Sequence, residues 1–256
     1  MSSAPPLLPS SLTWAFAAAI SAVLGSFLNV CISRLPHRQS IVLPASHCPT
    51  CQTPIRYYDN IPLVSFGVLG GRCRACRAPI SWRYPLVEAL AVMVGLLALW
   101  RLGPTWDGLR VFALGLALIA VTFIDLETLL IPDRITLPGI VIGLATHLYP
   151  SPRNLVSPLV GLLAAGALFY VVAWASRGGM GGGDIKLAAM VGAFLGWQLV
   201  LVAIFVGVLA GGIAGLLLLI LGLKGRKDPV PFGPFLALGG LVAGLWGEPL
   251  LAWYLA

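Results

Sequence analysis

The chain has 256 residues, 59% of them apolar and only 10% charged, with a formal charge of +7. A soluble domain carries about a quarter charged residues, so this composition excludes a water-soluble enzyme, and the same apolar content excludes disorder. The apolar stretches are long and continuous, which selects an all-α polytopic membrane protein over a β-barrel of short alternating segments; in such a protein the positions of the basic residues matter more than their sum, and no nucleic-acid partner is expected.

Ser2 to Ser11 reads as a short exposed tail. No Lys or Arg precedes Arg34, so the run Leu12 to Ile32 lacks the basic start of a cleaved signal and is expected to be a first membrane helix with its N-terminus outside. A polar segment, Arg34 to Arg83, follows. Further apolar runs are Pro85–Leu102, Leu109–Ile124, Ile135–Tyr149, Leu155–Ser176, Ile185 to Leu199, Val200–Leu223 and Pro234–Ala256. These predict about eight transmembrane helices. The Ile135 run is short for a bilayer core of roughly 30 Å, and the stretch from Ile185 to Leu223 is too long for one crossing, with its break expected near Gly196-Trp197-Gln198.

Charge tests this layout. With the N-terminus outside, Arg34, Arg38, Arg56, Arg72, Arg74, Arg77, Arg83, Arg134, Arg177, Lys186, Lys224, Arg226 and Lys227 fall on the interior side, against Arg101, Arg110 and Arg153 outside. That asymmetry satisfies the positive-inside rule, and the reverse orientation would invert it. Two domains are expected: residues 1–105 with the first two helices and the cytosolic loop, and residues 106–256 as a six-helix bundle. No long internal repeat stands out.

The loop carries Cys48-Pro-Thr-Cys51 and, after 21 intervening residues, Cys73-Arg-Ala-Cys76. Two such pairs complete a tetrahedral four-thiolate site. The alternative is two disulfides, but thiols on the cytosolic side stay reduced, which favours zinc. Four thiolates leave no open position, so the metal would be structural and would supply folding energy to a loop with little core. His37 and His47 are substitute ligands in principle, with His47 expected to be a bystander, and Cys31 is expected to be a buried small hydrophobe. The seven arginines of the loop anchor it against anionic lipid.

Acids near membrane helices are functional candidates by default. Asp125 follows Val121-Thr-Phe-Ile124 and is expected at the C-terminal end of its helix, where the dipole disfavours a carboxylate. Asp184 closes Gly178-Gly-Met-Gly-Gly-Gly-Asp184 and is expected to open the helix starting at Ile185. A capping role alone accounts for Asp184, but not for five glycines in the preceding six residues, a run kept where backbone approaches something closely. Two apolar runs separate Asp125 from Asp184, so both lie on the cytosolic side. Two carboxylates at one depth can share a proton, one activating water and the other protonating the substrate, which is aspartyl protease chemistry.

Gly181-Gly-Gly-Asp184 resembles the Gly-x-Gly-Asp signature of intramembrane aspartyl proteases. Gly25-Ser-Phe-Leu-Asn-Val30, Arg34-Leu-Pro36, the paired Cys-x-x-Cys, Asp59-Asn-Ile-Pro-Leu-Val64, Arg83-Tyr-Pro-Leu-Val-Glu88, Ile124-Asp-Leu126, Leu130-Ile-Pro-Asp133 and Pro231-Phe-Gly-Pro234 look like the motifs of type IV prepilin peptidases, in that family's order. The resemblance implies a bifunctional enzyme of the bacterial inner membrane. It would cut the leader from type IV prepilins and type II secretion pseudopilins, then N-methylate the new terminal residue with S-adenosylmethionine.

Carried over, Asp125 and Asp184 are the catalytic pair. Glu127 and Asp133 match secondary acids, Asp133 being a candidate cap for the next helix, and Lys186 matches a basic residue two positions after the catalytic Asp. Gln52 departs from the Gly common after the first Cys pair, which loosens the first knuckle. No sequence fingerprint of a methyl-donor fold is present. The candidates for donor binding are Gly70 and Gly71, which allow close backbone approach, and Asp59 and Glu88, which suit a cationic donor. Two alternatives from other classes are a proton-coupled transporter and a non-enzymatic secretion assembly factor.

Overall fold

A computed structural model describes residues 10–149, 155–176, 180–225 and 228–256. The tail before Ser10, Arg153, Arg177, Gly178, Gly179, Arg226 and Lys227 lie outside the described residues. The described residues are helical, without strands beyond two isolated bridges. In chain order the helices are α1 (Ser11–Arg34), α2 (Val64–Val68), α3 (Arg83–Leu102), α4 (Trp106–Thr128), α5 (Asp133–Ala145), α6 (Val156–Ala175), α7 (Gly182–Leu195), α8 (Trp197–Ile220) and α9 (Gly233–Leu255). Leaving aside the single turn-and-a-half of α2, eight long helices answer the eight apolar runs. Six of them, α1, α3, α4, α6, α8 and α9, are long and apolar enough to cross a membrane. At 13 and 14 residues, α5 and α7 reach only about 20 Å, short of a hydrocarbon core of roughly 30 Å. The break between α7 and α8 falls at Gly196, whose φ of +81° is a conformation open to glycine.

The chain divides into two compact units, one through Phe112 and one from Ala113, with the division inside α4. In the first, α1 packs along α3. Gly25 makes this possible, because a Cβ there would stand 2.8 Å from Cα of Glu88. One turn on, Asn29 donates its side-chain N–H to the carbonyl of Tyr84 at 3.1 Å, fixing the register of the pair. Between helices that face lipid, small residues and interhelical hydrogen bonds replace the hydrophobic effect as the source of association. The Gly25-to-Val30 motif supplies both.

In the second unit the core gathers Leu114, Leu118 and Val121 of α4, Met190, Val191 and Phe194 of α7, and Leu236 of α9, all at most 2% exposed. Helix α7 is its centre, with every residue from Leu187 to Leu195 buried. Antiparallel α6 meets it where a Cβ on Gly161 would stand 2.7 Å from the carbonyl oxygen of Gly192. On another side α5 runs parallel to α7. Lys186 pairs with Asp133 at 2.7 Å, a Cβ on Gly143 would stand 2.8 Å from the Phe194 ring, and His147 hydrogen-bonds the Phe194 carbonyl at 3.2 Å. Helix α9 lies antiparallel on α8, with Gly247 against Leu199 and Gly207 against Phe235.

Candidate functional site

Helix α4 continues one turn beyond the run that announces it, to Thr128, and Leu129 ends it at φ +53°. Asp125 therefore sits in the last turn of α4, at the C-terminal end of its helix as expected, and it is 5% exposed. Its Oδ2 accepts the backbone N–H of Gly233 at 2.9 Å, at the first residue of α9. The start of α7 differs from expectation. The helix begins at Gly182 with Gly181 as N-cap, so Asp184 is the third helical residue and not the cap. Its carboxyl turns back toward Gly181, where a Cβ would stand 3.6 Å from its Oδ2. The physical reason for the earlier start is packing: a Cβ on Gly183 would stand 2.8 Å from Cβ of Ile131, so the glycine run brings α7 onto the link after α4.

This contact carries Asp184 to the end of α4, near enough for the charge of Asp125 to act on its carboxyl group. The pair forms from three helix ends: the last turn of α4, the first turn of α7 and the first residue of α9. From the pairing of Gly207 with Phe235, α8 runs about ten residues, or about 15 Å, past the level where α9 begins. The acids thus lie level with the apolar body of α8 rather than at its end. Among the secondary residues, Asp133 does not cap α5, since Pro132 is its N-cap without a side-chain cap bond. Its carboxylate instead takes Lys186, with both side chains about half exposed.

In the first unit, the Sγ atoms of Cys48, Cys51, Cys73 and Cys76 all lie within 4.8 Å of one another, and all four cysteines are free thiols. Zn–S bonds of about 2.3 Å in a tetrahedron put sulfurs ~3.8 Å apart. Cys48 and Cys76 stand at 3.8 Å, so the donor set fits zinc. Cys51 donates its thiol hydrogen to Thr53 Oγ1 at 3.3 Å. His47 turns its ring to the Ala45 carbonyl at 3.1 Å, and neither it nor His37 joins the cluster. Cys31 is buried, as its apolar setting predicts.

The two knuckles are copies of each other. Cys48 N–H donates to Thr53 O at 3.0 Å, and Cys73 N–H to Ala78 O at 2.8 Å. Gln52 and Arg77 follow the second cysteines at φ +58° and +59°. Isolated bridges join His47 to Pro54 and Arg72 to Pro79. The sequence repeats accordingly, Cys-Pro-Thr-Cys-Gln-Thr-Pro-Ile against Cys-Arg-Ala-Cys-Arg-Ala-Pro-Ile, a repeat of only eight residues. It also explains Gln52: a left-handed position where glycine would cost nothing holds a glutamine.

Between these knuckles and the crossing of α1 with α3 lies a chamber of about 910 Å³, lined among others by Asn29, Asp59 and Glu88. Gly70 and Gly71 do not line it. They take φ +59° and +67° in the turn after α2, with Gly71 against the Phe66 ring. Asp59 is held below the usual carboxylate range by Arg74, which grips it through Nε and Nη2 at 2.9 and 2.6 Å. Glu88, 8% exposed, accepts the backbone N–H of Leu63 at 2.8 Å. Asn29 and Gly233 escape the reading of the sequence as site residues. Both stand within quoted motifs, and the signal was a polar residue inside an apolar helix for one and a Pro-flanked glycine for the other.

Residues 19–102 match the bacterial Peptidase A24 N-terminal domain and residues 112–216 the type IV leader peptidase family. Three curated relatives each carry the name prepilin leader peptidase/N-methyltransferase. The protein of Aeromonas salmonicida (strain A449) is 38% identical over 281 residues, covering 98% of this chain and 95% of the relative. That of Pseudomonas aeruginosa is 37% identical, covering 91% and 90%. That of Burkholderia pseudomallei (strain 1026b) is 36% identical, covering 94% and 88%. No solved structure matches the chain.

Proposed function

The chain belongs to the prepilin leader peptidase/N-methyltransferase family, and from that premise we propose that Asp125 and Asp184 hydrolyse the leader peptide bond of prepilins and pseudopilins. The observation that carries this reading is the meeting of a buried carboxylate in the last turn of α4 with a second carboxylate in the first turn of α7. One carboxylate takes a proton from water, whose oxygen bonds to the scissile carbonyl carbon. The other supplies a proton to the substrate, and the C–N bond breaks with release of the new amine. No metal or cofactor is required by this chemistry. Gly233 supports it by holding one oxygen of Asp125 through a fixed backbone donor. The alternatives of a transporter or an assembly factor gain no support from the families matched.

The second activity is methylation of that new amine. S-adenosylmethionine would supply an electrophilic methyl group on sulfur. The chamber of the first unit suits such a ligand by its volume and by Glu88, an acid with no ion-pair partner among the described residues, whereas Asp59 is committed to Arg74. The four cysteines would hold one structural zinc that orders the chamber's outer wall. The reading places the enzyme in the bacterial inner membrane, with its N-terminus periplasmic and both sites on the cytosolic side, in contact with membrane lipid. It assigns methylation to the first unit and cleavage to the second.

The test is incubation of the purified full-length protein with a prepilin peptide, with and without methyl donor, followed by product mass. Cleavage after the leader without donor, and a gain of one methyl group with it, is the expected result. An intact peptide overturns the peptidase reading, and a cleaved peptide that never gains mass overturns the methyltransferase reading.

A further inference from the structure

Asn29 holds a fixed acceptor that accepts nothing. Its Nδ2 donates to the Tyr84 carbonyl at 3.1 Å, and the Gly25 carbonyl lies near the same atom at 3.5 Å. Two carbonyls around one end of a carboxamide admit only the NH₂ group there, so chemistry fixes the orientation. The other end, Oδ1, is buried and has no hydrogen-bond partner among the described residues, in a residue only 2% exposed. A buried acceptor left unmade is costly. Asn29 lines the chamber, so the atom calls for an N–H or O–H donor from a ligand.

Glu88 lines the same chamber from the facing helix, where Gly25, one turn before Asn29, lets the two backbones touch. Its carboxylate accepts from Leu63 N–H. An ionised carboxylate has about four acceptor sites, so capacity remains. A neutral orphan acceptor and an acid that has no counter-cation among the described residues, on adjacent turns of two packed helices, ask for one kind of group.

We propose that Asn29 Oδ1 and the Glu88 carboxylate form a subsite for a primary amine or ammonium in the chamber of the first unit. The proposal rests on the methyl-transfer reading of that chamber and gives it a polarity. Two groups of this chemistry meet at such a site: the α-amine of the residue exposed by cleavage, and the α-amino group on the methionine portion of the methyl donor.

Matched probes separate them. The zinc-bearing full-length protein is titrated with a peptide beginning in free Phe and with its N-acetylated form, then with S-adenosylhomocysteine and with 5′-methylthioadenosine, which lacks the amino-acid portion. In one pair the free amine should bind about ten- to a hundredfold more tightly, the worth of a hydrogen bond to a charged group. The responding pair names the source. Glu88→Gln keeps an acceptor for Leu63 N–H but loses the charge, and should bring that ratio close to one. Asn29→Leu should lower it in the same way. A purely structural role for either residue would weaken both members of a pair alike and leave the ratio intact. Equal binding within both pairs for the wild type overturns the subsite, as does a Glu88→Gln protein that keeps its zinc, its melting temperature and the full ratio. Methyl transfer by the wild type is followed in parallel: its absence would sink the methyltransferase reading, while the binding ratios still decide the subsite.

Discussion

Gly233 donates its backbone N–H to Oδ2 of Asp125 at 2.9 Å across 108 residues of chain. A Cβ at position 233 would stand 2.7 Å from that same oxygen, closer than a carbon and an oxygen can approach without displacement. Gly233→Ala therefore pushes either the carboxylate or the start of α9 away. The loss of one hydrogen bond to a charged group is worth about 1.5–3 kcal/mol, or roughly a ten- to hundredfold fall in cleavage rate. Initial rates on a prepilin peptide check it. Wild-type rates in a folded Gly233→Ala protein would remove Gly233 from the site.

Asp125→Asn and Asp184→Asn should each abolish cleavage while leaving membrane insertion intact, because one member must be ionised and the other protonated. For the same reason the wild-type rate should trace a bell against pH, with two apparent constants that belong to the pair. Asp133→Asn should be much milder, since the Lys186 pair is about half exposed and such pairs contribute about 0–1 kcal/mol. Normal processing by either variant of the proposed pair would end that assignment.

Arg74 holds Asp59 below the usual carboxylate range. A group whose folded value is depressed stabilises the fold above its unfolded value, about 3.9, and loses that contribution as pH falls through the lower folded value. Asp59→Asn should thus lower the melting temperature by a constant amount at neutral pH, and the gap from wild type should close below about pH 4. Thermal unfolding in detergent across this range measures it, and a gap that persists at low pH would assign the effect to something other than the ion pair.

The helices were legible because a bilayer writes their length into the sequence: α1, α3, α8 and α9 begin and end within three residues of their apolar runs. The errors share one cause, contacts between distant segments. Glycine disfavours helix, so the run before Asp184 reads as loop. Helix α7 nonetheless starts inside it, because Gly183 must lie against Ile131. Asp133 beside Pro132 reads as a cap until Lys186, 53 residues away, takes its carboxylate. Asn29 reads as one polar residue in an apolar helix, and only the crossing with α3, 55 residues on, fixes its Nδ2 and strands its Oδ1. The four-cysteine cluster needed no such help, since the spacing within each pair is local.

One zinc per chain is expected by metal analysis of the purified protein. Cys48 is the most buried of the four ligands, and structural zinc contributes about 10–16 kcal/mol of apparent binding free energy to small sites. Cys48→Ser should lose the metal, expose the loop to proteolysis and reduce methylation more than cleavage. Cys31→Ser, outside the cluster, should keep its zinc. A metal-free wild type, or native disulfides by mass spectrometry, would contradict the site.

The division of labour between the units predicts that a dead protease still methylates. Asp184 belongs to the second unit, and the chamber with Asn29 and Glu88 is built wholly from the first. A peptide supplied with its N-terminal Phe already free bypasses cleavage, so Asp184→Asn should transfer methyl to it at close to the wild-type rate. Only a neutral amine attacks the methyl group, and a free α-amine has a pKa of about 7.7–8.0. Transfer should therefore rise with pH through that range, and its profile should be the same for wild type and Asp184→Asn. Methyl incorporation from labelled donor, measured against pH for both proteins, gives the answer. If Asp184→Asn binds the peptide but transfers nothing, or if its pH profile differs from that of the wild type, the aspartates serve both reactions and the units do not divide the work.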